Sequence, residues 1–230
     1  MSTRLRAALA GACALAAVAS IGKIASAEAA PLPPDVDLAQ FLPPQEAFPA
    51  GWTIGQTERN DKAASYSKDG ILANFGKHAT PKDCYPDALV FFSAFGVARG
   101  GKPPEPATGS YVFVTIARAD EDPRARGYTS ILHYWVDNCA QYSVEAIPGW
   151  SSYPLTGSVA ARTLPVVRAD DSIAIRVKEK TPHSHDVEMT AITARLRGVE
   201  ILVTGYPGAD ENLVDALFRE TVERIDGWEP

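Results

Sequence analysis

The sequence predicts a single α+β domain, an antiparallel sheet of about five to six strands with helices packed on one face and one disulfide. Three observations carry this reading. Between residues 143 and 206, five strand-length segments rich in β-formers follow one another between turn residues. Residues 210–225 then place Leu213, Val214, Leu217, Phe218, Val222 and Ile225 on one face of a helix. Finally, only Cys84 and Cys139 lie outside the N-terminal apolar stretch. Strands followed by a packing helix give helices segregated to one side of an antiparallel sheet.

Taken in order, the chain opens with Arg4 and Arg6, an apolar run over 7–22 and the small-x-small triplet Ala25-Ser26-Ala27. This is the pattern of a secretory signal peptide over 1–27, with Ala27-Glu28-Ala29 as an overlapping cleavage site. Lipid anchoring at Cys13 is not expected, because its leucine, Leu9, stands four residues before it rather than three and the apolar run continues past it. Residues 28–50 form a Pro-rich segment, a tether or strap, in which Asp37 caps one helical turn that Pro43-Pro44 stop. The domain proper is expected over 51–230. Short extended pieces are predicted at 52–57 and 71–76 with a polar loop between them, and a strongly apolar segment at 87–98. The Gly- and Pro-rich residues 99–109 read as an irregular exposed loop. Residues 111–117 are a strand with both faces apolar, and Asp122-Pro123 opens a helix whose apolar face carries Tyr128, Ile131, Leu132, Trp135, Val136 and Cys139. The later strands are placed at 143–147, 157–163, 172–179, 188–196 and 199–206, the last two joined by an Arg197-Gly198 hairpin turn. No internal repeat is present.

Removing 27 residues from the 230 leaves 203, and Arg4, Arg6 and Lys23 leave with them, so 19 basic side chains face 28 acidic ones. A net-acidic chain without a Lys/Arg cluster lacks the footprint that nucleic-acid phosphates or anionic lipids require. No later apolar run reaches transmembrane length, so a soluble, monomeric mature chain is expected. In an oxidising export compartment the two remaining cysteines pair, Cys84 with Cys139. Reactive redox pairs usually occupy a Cys-x-x-Cys motif, and these two are far apart.

Few residues suggest chemistry. No Gly-x-Ser-x-Gly elbow occurs, and Ser65-Tyr66-Ser67-Lys68 matches Ser-x-x-Lys without its companion motifs, so a polar loop accounts for it. His183, His185 and Asp186 could bind zinc or copper weakly. A built zinc site takes three or four protein ligands, and a solvated turn explains the tract as well. Asp170-Asp171 and Asp120-Glu121-Asp122 sit at turn and helix-start positions where aspartate serves as a cap. Trp150 and Tyr153, in a Pro/Gly/Ser-rich loop, and Trp135 on the helix are the candidate ligand-binding residues. No catalytic residue, cofactor or pH switch is expected.

The export signal, Phe48-Pro49-Ala50-Gly51-Trp52, the Asp137-Asn138-Cys139 cysteine and the closing strand from Arg197 to Gly205 before an acidic helix resemble secreted proteins and lipoproteins of actinobacteria, mostly mycobacterial and of unknown function. They are also loosely similar to the extracellular sensor domain of PknH-type kinases. Sensor domains of that type carry two disulfides, whereas the mature chain here can form one. The resemblance implies an envelope-associated domain with a ligand groove between sheet and helices, and no catalytic residue. The function expected is a secreted binding or interaction domain for an envelope lipid, cell-wall fragment or protein. The alternatives are an envelope hydrolase with a dispersed active site and a weak metal binder using His183 and His185.

Overall fold

A computed structural model describes residues 30–60, 75–86, 96–104, 110–119, 127–147, 153–182 and 186–230. Their centre is one antiparallel sheet of ten strands, not five to six. These are β1 (Thr53–Ile54), β2 (Glu58–Asn60), β3 (Ala79–Thr80), β4 (Gly96–Lys102), β5 (Tyr111–Arg118), β6 (Tyr142–Val144), β7 (Leu155–Ala161), β8 (Asp171–Lys180), β9 (Val187–Leu196) and β10 (Val199–Tyr206). The order across the sheet is β1-β4-β5-β10-β9-β8-β7-β6-β3, with β2 also paired to β4. Four of the strands are only two or three residues long, too short to leave a period in the sequence.

The expected exposed loop over 99–109 is corrected at 99–102, which complete β4, while residues 105–109 lie outside the described residues. The adjacent glycines Gly100 and Gly101 of β4 are there to admit rings. A Cβ at Gly100 would run into Phe113, and one at Gly101 into Phe48.

Two α-helices are described, α1 (Tyr128–Asn138) and α2 (Glu211–Asp226). They lie on opposite faces of the sheet rather than together on one. Ile173, Ile175, Val177, Ala191 and Leu202 pack with Tyr128, Ile131, Leu132 and Trp135 of α1. The alternate positions Ala174, Ile192, Ala194, Ile201 and Val203 pack with Val214, Leu217, Phe218 and Val222 of α2. Successive strand residues point to opposite faces, so this split by parity separates the two layers.

The N-terminal strap belongs to the α2 layer. Leu32, Leu38, Phe41, Leu42 and Phe48 are buried there, and a 3₁₀ turn at Leu38–Phe41 is capped by Asp37. Arginines from the sheet hold its backbone: Arg118 donates to the carbonyls of Leu32, Pro33, Pro34 and Val36. Arg99 reaches that of Pro43 at 2.6 Å. Arg197, in the two-residue turn between β9 and β10, donates to the carbonyls of Ala30, Ile225 and Trp228, with its guanidinium 5.4 Å from the Trp228 ring. Both Arg197 (φ 51°) and Gly198 (φ 75°) take the left-handed conformation that such hairpin turns need.

Cys84 and Cys139 are joined, with Cα atoms 5.5 Å apart and a sequence separation of 55. The bond ties the end of α1 to the segment before residue 87, beneath fully buried packing. Loop-closure entropy for that separation is worth about 4 kcal/mol. Full reduction, or the Cys84→Ser/Cys139→Ser variant, is therefore expected to lower the unfolding free energy by that order in urea titration.

Candidate functional site

On the α1 side of the sheet, α1 packs over β7 to β10. Beyond it, β1, β2, β4 and β5 line a groove of about 450 Å³. Its floor is Tyr111 and Phe113, two residues apart on β5 and so on one face. Phe113 is in register with Gly100 of β4 and lies over it. Tyr111 meets Phe113 edge-on at 5.1 Å and the Tyr206 ring at 5.2 Å, so the three rings brace one another. Bare backbone at Gly55, Gly100 and Gly101 forms part of the wall, and the exposed side chains of Thr53, Gln56, Glu58 and Lys102 make the rim.

A second cavity of about 450 Å³ lies under the strap, lined by Asp35, Asp37, Arg59 and Arg118 among others. Arg59 grips both carboxylate oxygens of Asp37, at 2.7 and 2.9 Å, while the same carboxylate caps Ala39 N–H at 3.0 Å. The Arg59 hydrogen bonds first, and then the Ala39 amide, lower the Asp37 carboxyl from 3.8 to about 2. A lowered carboxyl stabilises the fold above its unfolded value, near 4, and the contribution is lost as pH falls through about 2. The Asp37→Asn variant is therefore expected to melt below the parent protein at pH 5, the gap closing as the pH approaches 2. Because the pair is half exposed, the gap is small.

Among the described residues, a charge network fastens α2 to the sheet. The largely buried Arg162 side chain reaches Asp215 at 2.7 Å and Thr190 Oγ1 at 2.8 Å. Arg176 donates to both Glu211 oxygens, at 2.9 and 2.7 Å, and lies 3.1 Å from Glu188. The Arg176 hydrogen bond holds the Glu211 carboxyl below its ordinary value. Every charge in this group has an opposite partner within the fold, which makes it a fastening for α2.

Of the sequence-predicted site residues, Trp135, Tyr153 and Asp186 are described, and they do not come together. Trp135 is wholly buried in the α1 layer and donates its indole N–H to the Asp83 carbonyl at 2.9 Å, which places it in the core rather than on a groove. Tyr153 is half exposed two residues before β7, away from the aromatic groove in strand order. Asp186 is exposed before β9. Trp150, His183, His185, Ser65 and the 120–122 acidic run lie outside the described residues. Among the described residues, no three His, Cys, Asp or Glu side chains gather to hold a metal ion. Asp171 faces His133 Nε2 at 3.1 Å, an exposed pairing across α1 and β8 that the sequence alone does not reveal.

No family model and no curated protein matches the chain. Two solved structures resemble it. One is an uncharacterized protein of Mycobacterium smegmatis, an Rv0999 ortholog, at 14% identity over 83% of this chain and 96% of that one, with a TM-score of 0.47. The other is the extracellular domain of PknH from Mycobacterium tuberculosis, at 12% identity over 86% of this chain and 98% of that one, with a TM-score of 0.48. Both belong to the groups that the sequence resembles.

No helix among the described residues is long and apolar enough to cross a membrane. Tyr111 and Phe113 read from sequence as part of a strand with both faces apolar, and nothing in their local pattern marks them as the floor of a groove.

Proposed function

We propose that this chain is an exported, envelope-facing binding domain without catalytic activity, and that it holds its ligand in the groove of β1, β2, β4 and β5. One observation carries the reading: an aromatic floor, braced by a third ring, inside a groove whose about 450 Å³ falls in the range of small-molecule sites. Rings held in place lose little freedom on binding, and their apolar faces favour a partner that displaces water. The disulfide and the N-terminal signal pattern support an oxidising, exported setting.

Native mass spectrometry of the protein secreted by its host tests this. A discrete, extractable adduct is expected on the parent protein and absent from a folded Tyr111→Ala/Phe113→Ala variant. A bare protein in both cases, or an adduct that the double substitution leaves in place, would overturn the groove as the binding site.

A further inference from the structure

We propose that the ligand of this groove is a neutral saccharide rather than an acyl chain. The inference rests on the groove being the binding site and concerns only what chemistry it recognises.

A site for an acyl chain is walled with aliphatic side chains, because a flexible hydrocarbon gains only by apolar contact along its length. Among the described lining residues there is no Leu, Ile, Val or Met. The apolar surface that the described residues offer is instead two aromatic rings and glycine backbone, with Phe113 seated over Gly100. A flat ring offers a face to a rigid, roughly planar partner. The ring of a sugar has such a face, formed by its C–H bonds, and carries hydroxyls around its edge.

The rim supplies what those hydroxyls need. Gln56 has both a donor and an acceptor, Glu58 accepts, Lys102 donates, and Thr53 can do either. Among the described rim residues the charges of the Glu58 carboxylate and the Lys102 ammonium cancel, which matches a neutral polyhydroxylated ligand better than an anion or a cation. Thr53 is in register with Lys102, so the two side chains leave the sheet on the same face, next to the aromatic floor.

Saturation-transfer NMR on the full mature protein tests the assignment, with cellobiose and chitobiose as saccharide probes and palmitate as the acyl probe. Transfer to sugar C–H protons is expected, abolished by Phe113→Ala. Because that ring also packs against β4, Gln56→Ala and Glu58→Ala serve as exposed, non-core controls. Each is expected to weaken saccharide binding by up to about tenfold, the scale of one hydrogen bond. Binding of palmitate alone, lost on Phe113→Ala, would overturn the saccharide assignment and leave the groove as a binding site. Binding of neither probe, or saccharide binding indifferent to all three substitutions, would also overturn it. Retention of the native adduct by the double aromatic variant would remove the groove reading itself.

Discussion

Trp135→Ala is expected to lower the unfolding free energy by about 3–5 kcal/mol, the range for truncating a large buried aromatic side chain. Trp135 heads the fully buried side chains by volume and sits among Tyr85, Ile131, Leu132 and the disulfide in the α1 layer. The cavity is the larger part of the loss. A smaller part comes from the Asp83 carbonyl, which gives up the indole donor at 2.9 Å. Trp135→Phe separates the two, since it keeps most of the packing and drops the bond, and about 1–2 kcal/mol is expected. Urea unfolding of the three proteins checks this, and a Trp135→Ala loss below that of Trp135→Phe would show that the layer collapses around the vacancy.

The second large effect centres on Glu200. This β10 carboxylate is fully buried and accepts the first backbone N–H of α1, from Tyr128, and an Arg195 Nη2 donor at 2.9 Å. It occupies the position where α1 lacks a capping side chain, because its N-cap is Gly127. Glu200→Ala would strand the Tyr128 amide and remove the partner of Arg195, at a cost of about 3 kcal/mol. Glu200→Gln keeps the acceptor and is expected to cost about 1 kcal/mol.

Gly127 supplies a cross-check. A Cβ there would overlap the Glu200 carboxylate, so Gly127→Ala is expected to be strongly destabilising in the parent and much less so with Glu200→Ala. Additive losses in that double-mutant cycle would disprove the steric link.

These two sites also mark what the sequence discloses. Tyr128, Ile131, Leu132 and Trp135 repeat at helical spacing, so the face of α1 that enters the core is legible. Which side of the sheet receives it is not, because an amphipathic stripe does not say which apolar layer it meets. A clue was present in Val199-Glu200-Ile201-Leu202-Val203, where apolar residues fall on both parities and only Glu200 interrupts them. Such a run belongs to a strand covered on both faces, and hence to a sheet between helices.

The boundaries of β10 were legible to the residue, since turn residues bracket a continuous β-rich run. Strand β4 was not, because Gly100 and Gly101 read as loop formers until the rings that fill their place are known. The aromatic groove has the same origin. Its floor comes from β5 and its rim from β1, β2 and β4, residues some fifty positions apart that only strand pairing brings together.

The Arg197 turn has a consequence for the order in which the chain can fold. It holds the carbonyl of Ala30, 167 positions earlier in sequence, and that of Trp228 near the other end. The strap's apolar residues find their cover only on α2 and the strands beside it. For a chain delivered N-terminus first, the earliest described segment therefore waits for the last helix before it can dock. Contacts of such long sequence separation make folding slow, and they leave Leu32, Leu38 and Phe41 without shelter for most of the time the chain takes to emerge.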